Sequence, residues 1–111
     1  MENTKTKNPK TQPVSIEIKW AENWTLEELL ERLENQLVGQ YLRDNNSRYG
    51  IYLLCYIGKK DEYPWKDKIK QSRLSFNQVV EIIEERAKTI VKERSDIGDI
   101  AVISIDFTDP Q

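Results

Sequence analysis

The sequence predicts an α/β domain with a small, mostly parallel sheet of three or more strands and two main helices. Apolar segments of strand length alternate with two amphipathic segments, each opened by a capping signature, in the order strand, helix, strand, helix, strand. Helical crossovers between apolar strands favour parallel pairing with right-handed connections. Because 111 residues suffice for one core, we expect a flexible tail over 1–13 and a single domain over 14–107.

The first strand and the first helix have clear local signals. Apolar residues occupy every second position of VSIEIKW, Val14 to Trp20, and polar residues occupy the positions between them. Thr25 and Glu28 then form a capping box ahead of leucines spaced three and four apart. This spacing predicts a helix over 25–43.

The second half of the chain repeats the alternation. The apolar run IYLLCYI, residues 51–57, predicts a central strand buried on both faces. A polar connection over 58–73 leads to a second capping box and a helix over about 75–94, and IAVISIDF, residues 100–107, predicts another largely buried strand.

Composition excludes several classes of chemistry. The chain has no histidine and one cysteine, Cys55, so the usual zinc sites, a disulfide framework and histidine-assisted nucleophiles are excluded. The net charge of -2 does not indicate a general nucleic-acid binder. No apolar stretch is long enough to span a bilayer, and the polar start MENTKTKNPK lacks a secretory segment. We expect a cytoplasmic protein with no membrane partner.

Glu17 and Lys19 are the first candidates for chemistry. Alternation places them on the same side of the first strand with Cα atoms roughly 6.6 Å apart. A carboxylate there can bind Mg²⁺ while the ammonium stabilises charge on a phosphodiester. The same pattern is also common on the solvent face of ordinary strands, and that alternative stays open.

The first helix adds two amides. Gln36 and Gln40 lie one turn apart, with Tyr41 adjacent. Amides on one helix face can hydrogen-bond a nucleic-acid backbone or hold a water network, although such glutamines also occur on exposed flanks.

Together IEIK, a helix carrying QLVGQYL, and RYGIYLLCYIG resemble the C-terminal half of PD-(D/E)XK nuclease domains, the restriction-endonuclease-like fold. The resemblance implies that Glu17 is the metal-binding acid, Lys19 the catalytic lysine, and Gln36 with Gln40 or Tyr41 the helix motif. It also implies Mg²⁺ as cofactor and nucleic acid as substrate, either DNA or RNA.

The sequence departs from that family in two respects. Gln36 and Tyr41 have four residues between them where the family motif has three, and the family's first aspartate is missing, since Glu2 is the only acid before Val14. One carboxylate makes a poor Mg²⁺ site, so we expect the chain alone to be weak or inert. An upstream domain, a partner chain or a lost activity would each account for the deficit; Asp106 is a less favoured substitute acid.

The connection over 58–73 is locally basic, with six basic residues against three acidic ones. Lys66, Lys68 and Lys70 with Trp65 have the composition of a nucleic-acid contact through phosphates and stacking. Alternatively, Trp65 covers the core and the lysines are solvated.

Two functions follow from the sequence. The first is a nuclease-like, nucleic-acid-associated domain with half of a Mg²⁺-dependent phosphodiesterase site. The alternative is a non-enzymatic interaction or dimerisation domain, which the net charge of -4 over residues 22–44 favours because an acidic helix repels nucleic acid.

Overall fold

The protein is described by a computed structural model that covers residues 13–43, 46–59 and 62–108. Of the expected tail, residues 1–12 lie outside the described part. The described elements, in chain order, are β1 (Val14–Trp20), a 3₁₀ turn (Ala21–Asn23), α1 (Leu26–Arg32), a π-helical segment (Leu33–Leu42), β2 (Tyr49–Tyr56), β3 (Trp65–Lys66), β4 (Arg73–Leu74), α2 (Phe76–Glu93) and β5 (Asp99–Asp106).

The main sheet has three parallel strands in the order β1-β2-β5. In its register, Ile18 lies beside Leu53, and Leu53 beside Ile103. A short antiparallel ribbon, β3-β4, interrupts the connection after β2. The predicted α/β class, the parallel sheet and the two main helices are thereby confirmed.

All the helices lie on one face of this sheet. The π-helical segment packs on β1 and β2, α2 packs on β5, and α1 contacts α2. Successive strands added in one direction through crossovers of the same hand bring every crossover helix to the same side. The sheet therefore has one covered face and one face without helices.

The first helix begins as predicted and then changes type. The Thr25 side chain accepts a hydrogen bond from the Glu28 amide, and the Glu28 carboxylate accepts one from the Thr25 amide. The helix covers residues 26–43 of the predicted range, with Thr25 as its N-cap, but the ten residues Leu33–Leu42 form a π-helix rather than an α-helix. In a π-helix each amide donates to the carbonyl five residues earlier. The same spacing continues in the turn that follows, where the Ser47 amide donates to the Leu42 carbonyl at 2.8 Å.

The core lies between the covered face and the helices. Fully buried leucines of α1 and the π-helical segment meet the fully buried Tyr52 and Leu54 of β2 and the apolar side of α2. At the carboxyl end of β2, the ring of Tyr56 packs against Trp65 and Phe76, with centroids 5.2 and 5.3 Å away. This aromatic cluster attaches the β3-β4 ribbon to the core.

β1 buries its polar side. Ser15, Glu17 and Lys19 point toward the helices and are 5%, 9% and 6% exposed. Their apolar neighbours occupy the other face of the sheet, which we call the open face: Val14, Ile16, Ile18 and Trp20 of β1, Tyr49, Ile51, Leu53 and Cys55 of β2, Ala101, Ile103 and Ile105 of β5, and Phe107.

The open face corrects two predictions. The strand predicted over 51–57 is central, as expected, but only one of its sides is fully buried, because Ile51 and Leu53 on the open face are half-buried. The strand predicted over 100–107 is largely exposed instead of largely buried. Both errors arise because an apolar run does not reveal whether a second layer covers it.

Within the described residues, no helix is both long and apolar enough to cross a bilayer.

The orientation of α2 can be tested with two adjacent isoleucines. Ile83 is fully buried and Ile82 is 36% exposed. We expect Ile83→Ala to lower the free energy of unfolding by about 2–5 kcal/mol through lost burial and a residual cavity. Ile82→Ala, the matched control, should cost less than about 1 kcal/mol. Urea denaturation followed by circular dichroism measures both, and equal losses would contradict the described face of α2.

Candidate functional site

The best-defined polar site lies between β1 and the helix that follows it. Strand alternation turns Glu17 and Lys19 to the covered side, where the Lys19 ammonium contacts the Glu17 carboxylate at 2.7 Å. Burial removes most of the water from this pair, so each charge depends on its partners in the protein.

The Lys19 ammonium has two further partners. It donates a hydrogen bond to the side-chain oxygen of Gln36 at 2.8 Å, and it lies over the ring of Trp24, 4.5 Å from the centroid. We call Glu17, Lys19, Gln36 and Trp24 the Lys19 cluster. Because an ammonium has three N–H donors, these three partners match its bonding capacity.

Trp24 connects the Lys19 cluster to neighbouring elements. The Arg32 guanidinium also lies over its ring, 4.9 Å from the centroid, and its backbone carbonyl accepts a hydrogen bond from the Trp65 indole at 3.0 Å. Cations prefer the negative face of an aromatic ring. The Trp24 indole is therefore a common neighbour of two positive charges, and the Trp24 backbone carbonyl links this residue to the β3-β4 ribbon.

A polar cavity of about 300 Å³ opens beside the cluster. Gln36 reaches both, since its side chain binds Lys19 and also lines the cavity. Gln40 is exposed and lies on the cavity wall, so the structure brings the two predicted amides to one opening. The side chain of Tyr41 is outside the described part of the protein. The cavity is lined by Glu31, Arg32, Asn35, Gln36 and Gln40.

Tyr52 belongs to the surroundings of the site, although sequence reasoning placed it only in the core. Its hydroxyl donates a hydrogen bond to the Leu29 carbonyl at 2.7 Å. Burial, and to a smaller extent the negative charge of Glu17, raises the pKa of Tyr52 far above its usual value. The buried phenol is therefore a neutral hydrogen-bond donor. Its place in an apolar run concealed this role.

Glu17 is the only carboxylate of the Lys19 cluster. Among residues 13–43, 46–59 and 62–108, no three His, Cys, Asp or Glu side chains form a group that could hold a metal ion. Asp106 lies four positions further along the register and two strands away, roughly 16 Å from Glu17 at about 3.3 Å per residue and 4.8 Å per strand. Its carboxylate instead accepts hydrogen bonds from the amide and hydroxyl of Thr108.

The proposed nucleic-acid contacts fall into two groups. Lys66, Lys68 and Lys70 are exposed. Trp65 is only 2% exposed, so the prediction that it stacks on a base is wrong for this structure: its ring is packed in the aromatic cluster. The ribbon turns the Trp65 ring inward onto Tyr56 and Phe76, which leaves no free ring face for the stacking that composition indicated.

The surface around these lysines is mixed in charge. Lys66 and Lys68 line a cavity of about 450 Å³ whose other wall carries Glu22, Glu27 and Glu28. The Lys68 ammonium lies 3.9 Å from the Glu27 carboxylate, with both side chains exposed. An exposed pair of this kind contributes little to stability, but it lowers the local positive potential.

An arginine pocket at the amino ends of the strands was missed by sequence reasoning. Arg43, Arg48 and Arg94 line a cavity of about 200 Å³ together with Asp96. Arg94 donates to both oxygens of Asp96, at 3.2 and 2.9 Å, and this hydrogen bonding lowers the pKa of the Asp96 carboxyl. Each arginine lies at or beyond an element end, so no local spacing signalled the cluster.

Comparisons of the chain with protein-family models, with curated proteins and with solved structures found no match. The fold itself defines the class of the protein: an α/β domain whose main sheet is parallel and has one face without helices.

The pairing of Lys19 with Glu17 can be measured by a double-mutant cycle. Lys19→Met leaves the buried Glu17 carboxylate without its cation, so we expect a loss of about 3–5 kcal/mol in the free energy of unfolding. Adding Glu17→Gln should recover part of that loss, because the uncompensated charge is removed. Chemical denaturation of the wild type, both single variants and the double variant gives the coupling energy. Additive effects would contradict a direct buried pair.

The buried phenol predicts an alkaline stability loss. In the unfolded chain Tyr52 ionises near its usual pKa of about 10, whereas in the folded protein its pKa is raised. Stability from this group is complete below about pH 10 and is lost as the pH rises further. We expect Tyr52→Phe to lower the free energy of unfolding by about 1 kcal/mol at pH 8, because the hydrogen bond is lost. The same change should reduce the fall in the free energy of unfolding above about pH 10. Urea titrations between about pH 8 and 11 measure both effects, and an unchanged slope would refute them.

Proposed function

We propose that the protein is a nuclease-like, nucleic-acid-associated module with a restriction-endonuclease-like fold, contributing half of a Mg²⁺-dependent phosphodiesterase site. The observation that carries this proposal is the Lys19 ammonium held between the Glu17 carboxylate and the Gln36 amide oxygen, at 2.7 and 2.8 Å. An acid, a fixed cation and an orienting amide in direct contact are the groups that phosphodiester chemistry uses.

Each residue has a distinct role in this proposal. Glu17 would supply one carboxylate oxygen to Mg²⁺, a hard cation that prefers oxygen ligands. Lys19 places its positive charge beside the non-bridging oxygens of a bound phosphate, where negative charge increases in the transition state. Gln36 orients Lys19 and, with Gln40, offers amides to the nucleic-acid backbone along the polar cavity.

Access to Lys19 requires movement of one side chain. The three directions around the ammonium are taken by Glu17, Gln36 and the Trp24 ring. Gln36 is the partner that also borders the cavity, and its side chain is half-buried. Rotation of Gln36 into the cavity would free one N–H of Lys19 for a phosphate oxygen without disturbing the Glu17 contact.

The half-site needs a further acid. Glu17 alone gives Mg²⁺ too little negative oxygen, and among the described residues no three His, Cys, Asp or Glu side chains form a group that could hold a metal ion. A partner chain or an additional protein segment placed against the cavity would supply the missing carboxylate. The chain by itself is therefore weak or inert as a nuclease.

The π-helical segment supports the family resemblance. Gln36 and position 41 are five residues apart. The corresponding residues of the family motif are four apart, which is about one turn of an α-helix. Bonding from i to i+5 widens each turn by about one residue, so a π-helix absorbs the extra residue between these positions. Both positions lie inside the π-helical segment Leu33–Leu42.

A second candidate function is association with another protein. The observation that favours it is the open face, whose β1 and β5 isoleucines are 40–56% exposed. Soluble monomers rarely expose large contiguous apolar patches, and those they do expose commonly mark interaction sites. This function is compatible with the first, because the open face and the Lys19 cluster lie on opposite sides of the sheet.

Nucleic-acid association can be tested by salt-dependent binding. We expect the chain to bind a short DNA or RNA duplex at low salt. Affinity falls as salt rises, so the plot of log affinity against log salt has a negative slope. We expect the steepness of this slope to decrease by about 1 for each phosphate-contacting lysine that is changed to Met among Lys66, Lys68 and Lys70. Changing the exposed Lys59, Lys88 and Lys92 to Met is the matched control. Fluorescence anisotropy measures both, and a control that weakens binding equally would show only a general charge effect.

Cleavage provides a separate test. With Mg²⁺ or Mn²⁺, the chain alone should leave supercoiled plasmid almost intact. Strong cleavage that Glu17→Gln and Lys19→Met both abolish would refute the incomplete site while supporting the assigned residues. Absence of nucleic-acid binding at low salt would refute the nuclease-like proposal itself.

A further inference from the structure

The open face has the composition of a protein interior. Its eight most exposed large apolar side chains come from β1, β2 and β5 and from Phe107. Asp99, at the start of β5, is the only charged residue among the strand residues that point to this face. The face therefore carries no charged side chain between its ends. These eight side chains are Val14, Ile16, Ile18, Trp20, Tyr49, Ile103, Ile105 and Phe107, exposed by 37–56%.

The size of this face matches that of a protein interface. With roughly 150–250 Å² for an aromatic side chain and a value near the lower end of that range for Val and Ile, the exposed fractions correspond to on the order of 700 Å² for the face. The largest apolar patch on a typical monomer is about 300–600 Å², whereas a standard interface buries about 800 Å² per partner. The open face is thus larger than a monomer usually exposes and close to what a stable dimer needs.

The described chain does not cover this face, and its undescribed ends lack the composition to do so. Residues 1–12 contain Met1 as their only apolar side chain other than proline, and the end of the chain reads DPQ. An apolar surface of the same size is present on every other copy of this chain, namely its own open face.

We infer that the open face is the interface of a homodimer in which two copies stack sheet against sheet. This inference rests on the second candidate function above and names its partner as a second copy. The absence of charge within the face means that self-association buries no like-charged pair. Two sheets in such a stack pack about 10 Å apart, with the helices of both copies outside.

The two ends of the face differ in bulk in a way that suits a two-fold axis. The carboxyl end is thick, because the rings of Trp20 and Phe107 meet there with centroids 6.0 Å apart. On the two edge strands the amino half carries the smaller side chains of Val14 and Ala101, with Tyr49 on the strand between them. A two-fold axis across the strands places the aromatic pair of one copy over these smaller side chains of the other, which is the self-complementarity that an isologous dimer requires.

The experiment measures oligomeric state against protein concentration by sedimentation equilibrium. The wild type should form a dimer whose dissociation constant rises at least 100-fold in Ile18→Lys, since Ile18 is 56% exposed in one copy and lies midway along the open face, beside Leu53. The matched control is Ile69→Lys: Ile69 is 95% exposed on the β3-β4 turn, away from the open face, and its substitution should leave the dimer intact.

Circular dichroism verifies that Ile18→Lys remains folded. If it does not, Ile105→Lys on β5 serves as the second variant, because Ile105 is 40% exposed on the same face. A wild type that stays monomeric up to about 1 mM, or a dimer that tolerates both face variants, would overturn the inference, as would capture of the face by a different protein in preference to a second copy. None of these outcomes depends on nucleic-acid binding, so failure of the dimer and failure of the nuclease-like proposal are distinguishable.

Discussion

The side of β1 that faces the helices determines both surfaces discussed above. Side chains alternate along a strand with a period of two, so turning Glu17 and Lys19 toward the helices places Ile16 and Ile18 on the open face. A register slip of one residue would reverse the arrangement, placing the isoleucines in the core and the charges in water. The Lys19 cluster and the open face are therefore two results of one backbone orientation.

This orientation is not explained by the stability of the ion pair. Removing two charges from water costs about as much as their attraction returns, and apolar substitutes of similar volume are often equally stable or more so. The folding free energy comes instead from the buried leucines of the first helix, the buried side of α2 and the aromatic cluster around Tyr56.

Sequence reasoning succeeded where the signals are local. The capping boxes at Thr25 and Ser75 fix the starts of both helices, and both are formed by side chains within three residues of each other. The contact between Lys19 and Gln36 was also foreseeable, because a strand and the helix that crosses back over it must pack together.

Sequence reasoning failed where the outcome depends on distant parts of the chain or on partners. The alternation of apolar and polar residues over Val14 to Trp20 is the same whether the apolar side of the strand faces a helix, a second molecule or water. The burial of Trp65 depends on the ribbon folding back onto Tyr56 and Phe76. The arginine pocket joins residues up to 51 positions apart, Arg43 and Arg94.

The position of β1 at the edge of the sheet gives the buried charges one more consequence. Edge strands present unpaired amides and carbonyls that can recruit strands from other chains, and inward-pointing charges are one way in which natural proteins discourage this. A strand added beside β1 would remove the remaining water from Glu17 and Lys19. β5, the other edge, carries its acids only at its two ends, Asp99 and Asp106. Aggregation by sheet extension should therefore begin at β5 rather than at β1.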